Sequence, residues 1–167
     1  MPNKYYYLVA SLAYLEFEKA PPITKSEFLS ECRKWLDAGD FKKLAEVDIN
    51  NIETNPQDTA IIKEWKSFDL ALRKDLGEIR RMRKKSLHET IPARLMDVFE
   101  EPTPLLMERK LEKKRWDFIE EKEFGCHFDM NTLMLYFLKL QILERLSLFE
   151  KEKGKARFER LSEVTYA

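Results

Sequence analysis

Between Asp129 and Gly154 the chain reads Asp-Met-Asn-Thr-Leu-Met-Leu-Tyr-Phe-Leu-Lys-Leu-Gln-Ile-Leu-Glu-Arg-Leu-Ser-Leu-Phe-Glu-Lys-Glu-Lys-Gly. Few folds can house such a run. Leu133, Tyr136, Leu140 and Leu143 share one helical face, Leu135, Leu138, Ile142, Leu146 and Phe149 cover the face beside it, and Phe137 widens the set. A helix apolar over most of its girth must be surrounded by other elements, so the spacing predicts a buried central helix over about 129–153. Asp129 offers a side-chain oxygen to the free N–H groups at its start, and Gly154 can close its end in left-handed backbone. About 24 residues at roughly 1.5 Å each make a rod of about 36 Å, the span of a small domain. The rod is no membrane span, which needs about 20 consecutive apolar residues, because Lys139, Gln141, Glu144 and Arg145 interrupt it.

What surrounds the rod reads as helix too. Only 4 of the 167 residues are glycine, while 36% are charged. Long helices rather than tight-turned sheets suit that balance. Thr24 and Glu27 form a capping box, with Ile23 and Phe28 placed for a hydrophobic staple. A helix carrying Phe28, Leu29, Cys32, Trp35 and Leu36 follows and ends at Gly39, and Asp40 caps a short helix with Phe41, Leu44 and Val47. Residues 48–57 read as a loop. From about Asp58 to Lys85 the seam Ile61, Trp65, Phe68, Leu72, Leu76, Ile79 and Met82 marks a long helix packed on one or two partners, and it also suits a homodimer. Ser86 and Glu89 can cap a segment with Leu87, Ile91, Leu95, Val98 and Phe99, which Pro92 interrupts. Thr103 with Pro104 at the first helical position opens a helix with Leu105, Leu106, Leu111, Phe118 and Ile119, ending near Gly125 and packing antiparallel to the rod. Phe158, Leu161 and Val164 suit a last short helix. Tyr5 to Leu12 is a strand by propensity or a short buried helix by length. With no strand partner downstream, helix or extended arm is favoured. The expectation is one all-α helical-bundle domain over 1–167, with an N-terminal arm over 1–22.

The same residues restrict function. Thirty basic and thirty acidic residues cancel, which removes whole-molecule attraction to nucleic acid or anionic lipid and leaves only local patches. One such patch is the basic helix end Arg80, Arg81, Arg83, Lys84 and Lys85. It complements the helix dipole as a solvated end or docks an acidic partner, nucleic acid included. No Gly-rich phosphate loop, nucleophile elbow or His-Glu-x-x-His occurs. Cys126-His127, with Cys32 and His88 elsewhere, lacks the repeated spacing of a zinc site. The charged run Glu108 to Arg115, including Glu112 and Lys113, reads as a solvated or salt-bridged face. Glu144 and Arg145 stand out because they break the most apolar helix, either as a paired, partly buried contact or as a partner-binding pair. Two distant cysteines and no export signal suggest reduced thiols in a cytoplasmic protein. Neither catalysis nor a cofactor or metal is expected.

Two stretches carry a resemblance. Tyr5-Tyr6-Tyr7-Leu8-Val9-Ala10-Ser11-Leu12 with Leu15-Glu16-Phe17 resembles the start of an uncharacterised bacterial family encoded beside V-type ATPase genes. The run Phe128 to Arg145 is similar to that family and, more distantly, to the helical repeat of the C subunit of V/A-type ATPases, where a Tyr-bearing apolar helix continues into a Glu- and Arg-bearing turn. Tyr136, Glu144 and Arg145 match that pattern. The resemblance implies a non-catalytic, all-helical connector between rotor stalk and membrane ring, cytoplasmic and peripheral to the membrane through the complex. Its implied partners are V-type ATPase subunits, met through a helix-end surface with Arg80, Arg81, Arg83 and Lys84 as candidates.

Overall fold

Asp129 caps the helix at the centre of the fold by accepting from the Thr132 N–H at 2.8 Å, while the Thr132 hydroxyl returns to the Asp129 N–H. A computed structural model describes residues 4–85, 91–149 and 151–162. The expectations for Ser86, Leu87, His88, Glu89 and Val164 fall outside those residues. The helices are α1 (Lys4–Ser11), α2 (Lys25–Trp35), α3 (Ala38–Ala45), α4 (Ala60–Lys84), α5 (Met96–Phe99), α6 (Pro104–Glu123), α7 (Met130–Ser147) and α8 (Lys151–Ser162), with a 3-10 turn at Ala93–Leu95. No strand occurs among the described residues, so the fold is an all-α bundle. The Tyr5–Leu12 ambiguity resolves as helix, and α1 docks on α2 and α7.

The rod α7 is enclosed by α1, α2, α3 and α6. Every residue from Leu133 to Leu143 is buried, polar ones included. Phe28 of α2 stacks on both Tyr136 and Phe137, with ring centroids 5.3 Å apart in each pair. The Tyr136 hydroxyl donates to the Ala13 carbonyl at 2.9 Å, which fixes the chain leaving α1. Helices α6 and α7 form the expected hairpin, and Thr103 and Pro104 start α6 as expected. Phe128, in the short link, takes left-handed backbone (φ 51°) without being glycine. Its ring lies 4.7 Å from that of Tyr6, a contact a glycine could not make.

Several boundaries differ from expectation. The rod ends at Ser147, with Leu148 as its C-cap, and Gly154 lies inside α8. One continuous apolar periodicity thus hides a break between two helices. Gly39 does not end α2. The helix stops at Trp35, Asp37 rather than Asp40 caps α3, and Gly39 sits in the first turn of α3. An upstream aspartate can accept from the Asp40 N–H at 2.9 Å, so the chain turns earlier than the glycine suggests. Trp35 is half exposed because its Nε1–H reaches Glu31 rather than the core. Phe158 and Leu161 are exposed on α8. The capping box at Thr24 and the loop between α3 and α4 occur as expected.

The seam of α4 is covered within the chain itself. Ile62 and Trp65 join the large core around α7, whereas Leu72, Leu76 and Ile79 pack with Leu95, Val98 and Leu111 in a second, smaller core. Replacing Leu135, fully buried on the rod, by alanine is expected to cost about 2–5 kcal/mol in urea unfolding. A cost under about 1 kcal/mol would mean that the rod is not enclosed.

Candidate functional site: an arginine-lined groove

The two cores are separated by a layer of charge. On α4, Asp69 falls between Phe68, which faces the large core, and Leu72 of the small one. On the antiparallel α6, Glu112 and Arg115 fall between Leu111 of the small core and Trp116 of the large one. Asp69, Glu112 and Arg115 are at most 4% exposed. Arg115 Nε donates to Asp69 Oδ1 at 2.7 Å, and its Nη1 donates to Glu112 Oε1 at 2.9 Å. Charges this deep persist only when partnered. Of the two readings of Glu108–Arg115, solvated or salt-bridged, Glu112 follows the second, and it does so in the interior rather than on a surface. The pattern was present in the sequence: positions 112, 115, 116 and 119 follow the i, i+3, i+4 rhythm of one stripe, with charges at half of them.

Two further arginines close the layer. Arg73 Nε donates to Asp69 Oδ2 at 2.6 Å, and its Nη2 reaches the Ile49 carbonyl at 3.3 Å. Arg145, at the end of the rod, pairs through Nη2 with Glu108 Oε1 at 2.9 Å and through Nε with Glu112 Oε1 at 3.3 Å. Above this layer opens a groove of about 330 Å³, lined by Asn50, Arg73, Arg80, Glu108, Arg115 and Arg145, with Leu76 and Leu111 as its apolar part. Arg80 and Arg145, far apart in the chain, thus meet at one place. Arg80 is exposed and has no ion-pair partner among the described residues.

The other candidates do not converge there. Arg81 and Lys84 are exposed and outside the groove lining, and Arg83 lies over the Phe99 ring at 4.7 Å. Glu144 is not paired with Arg145. Its Oε1 accepts from the Lys25 N–H at 2.9 Å, and its Oε2 pairs with Lys25 Nζ at 3.2 Å, so it caps α2 from another helix. The remaining polar residues of the rod act alike. Lys139 pairs with Glu123 and lies over the Trp116 ring. Gln141 clips the loop after α3, accepting from the Ile49 N–H at 3.0 Å and donating to the Val47 carbonyl at 2.9 Å. Cys32 and Cys126 are free thiols. Burial pushes Cys32 up to about 12 and also raises Cys126, so neither presents a ready thiolate. His127 is exposed, and no metal-ligating cluster occurs among the described residues.

Burial works against the charge of Arg115, but Glu112 and Asp69 outweigh it and hold the guanidinium protonated. In Glu112 the same balance falls against the charged form. Burial pushes its carboxyl up against the pull of Arg115 and Arg145. The geometry explains why: Oε1 serves two arginines, while Oε2 is buried with no hydrogen-bond partner. An acid whose folded pKa is raised contributes stability below its ordinary range and loses it as pH rises through the folded value. Glu112→Gln is therefore expected to be relatively less destabilising at pH 7 than at pH 5 in urea unfolding. An equal cost at both would contradict the raised pKa.

No curated protein and no solved structure matches the chain. A family model described as a protein of unknown function, DUF2764, matches residues 80–164. That span opens on Arg80 of the groove, runs through α6 with Glu112 and Arg115 and α7 with Arg145, and ends beyond α8. It covers just over half of the sequence, and the chain belongs to the DUF2764 family.

Proposed function

We propose that this protein is a non-catalytic helical component of a V-type ATPase, a connector between rotor stalk and membrane ring that resembles the C subunit. What carries the reading is the run Phe128 to Arg145, similar to V-type-ATPase-associated sequences and forming the buried rod. The three residues that match the C-subunit pattern each bind a different neighbour: Tyr136 the segment after α1, Glu144 the start of α2, and Arg145 the carboxylates of α6. A connector between a turning stalk and a ring needs such ties, because a bundle cross-linked from one central helix resists shear between its parts. No helix among the described residues is long and apolar enough to cross a membrane, so the reading takes the protein to the membrane through its partners.

The exposed Arg80, Arg81 and Lys84 support a second reading, a helical adaptor that takes nucleic acid or an acidic protein at this helix end. Phosphate contacts weaken steeply with ionic strength, and a blank gel shift at low salt removes nucleic acid from it. The connector reading predicts that the tagged chain, incubated with native membranes at low salt, co-purifies stalk or ring subunits of the V-type ATPase by mass spectrometry. Recovery of no ATPase subunit would overturn it.

A further inference from the structure

Beside the arginine-lined groove lies a larger one of about 600 Å³, whose apolar part is Leu29 and the exposed Leu148 over the buried Val47, Ile49 and Phe137, and whose carboxylates, Glu144 and Asp48, are engaged by Lys25 and Asn50. The two share Asn50 and Arg145, so they are contiguous. We propose that together they form one docking channel for a segment of a partner protein that carries an apolar side chain and, a few residues away, a carboxylate. The proposal rests on the connector reading only in taking the partner to be a protein, and it specifies that partner's chemistry.

Charge complementarity selects the occupant. Four guanidiniums line or floor the smaller groove, and three carboxylates, Asp69, Glu108 and Glu112, answer them. Asp69 is already shared by Arg73 and Arg115, and Glu112 Oε1 by Arg115 and Arg145. Arg80 has no ion-pair partner among the described residues, and Arg73 and Arg145 each keep about a third of their side chains exposed. An entering carboxylate therefore meets donors that the protein's own acids leave unused. The guanidinium fork matches a carboxylate in two-point geometry. A small inorganic anion would use only this half and leave the apolar half wet. A segment with an apolar anchor fills both, as a helix or strand does when laid in a groove.

Selection of a random peptide library of about 12 residues on the immobilised full-length protein tests this, followed by fluorescence anisotropy of the enriched peptides. The expected peptides pair Leu, Ile, Met or Phe with Asp or Glu within about four positions. Arg80→Glu and Leu148→Lys, both changes at exposed positions, are expected to weaken binding about tenfold or more. Lys74→Glu makes the same charge change on α4 outside the channel and is expected to alter it less than about twofold. Enrichment of no peptide, of peptides without acidic residues, or equal losses in Arg80→Glu and Lys74→Glu would each overturn the proposal. Displacement of the peptides by millimolar inorganic phosphate would overturn it as well, by marking a small-anion site. The selection contains no ATPase component, so its failure and a failed co-purification are separate results.

Discussion

A buried guanidinium is the constraint from which the rest of this structure follows. Arg115 is buried between Asp69 and Glu112 beneath the groove, with an apolar core on either side. Taking such ions out of water costs several kcal/mol each, recovered only when partners stand opposite with good geometry. Helices α4 and α6 therefore have one favourable register. A slip of one turn along purely apolar seams would lose some packing, whereas here it would strand three charges. The same requirement sets where α7 must end, because Arg145 has to reach Glu112 from the last turn of the rod.

The rod adds a second level of specification. Its apolar surface supplies the burial, which is non-directional and would accept neighbours in several arrangements. Its four polar interruptions supply direction. Lys139 selects the end of α6, Gln141 the backbone after α3, Glu144 the first turn of α2 and Arg145 the first half of α6. Each lies on a different face or level of α7, so the rod is keyed around its circumference. The arginine groove is a by-product of this keying, since the side chains that close the charge layer also leave guanidinium donors facing outward.

Apolar spacing and cap chemistry made most of this architecture legible in the sequence. The enclosure of Leu133 to Leu146, the box at Thr24 and Glu27, and the Thr103-Pro104 start of α6 are local patterns with one physical meaning each. Glycine was a poorer guide. Gly39 and Gly154 both lie within helices, where local rules place helix ends, because Asp37 and the turn after Ser147 fixed those boundaries first. The charge layer was the largest omission. Glu112 and Arg115 share a stripe with Trp116 and Ile119, which the sequence shows, but the acid that makes their burial tolerable, Asp69 on α4, is brought opposite only by the tertiary fold. Of the candidate site, Arg80 and Arg145 were legible as a basic helix end and an interrupted rod. Their convergence was not, because it depends on how α4 crosses α6.

The most direct test of this arrangement is a double-mutant cycle on Asp69 and Arg115, read by urea unfolding. Asp69→Leu and Arg115→Met alone should each cost about 3–5 kcal/mol, because each takes one partner from charges that stay buried. The double variant should cost less than their sum by more than about 1 kcal/mol, since the Asp69–Arg115 attraction is then lost once rather than counted twice. Costs that add to within about 0.5 kcal/mol would show that the two residues do not act on each other and that the charge layer does not hold α4 to α6.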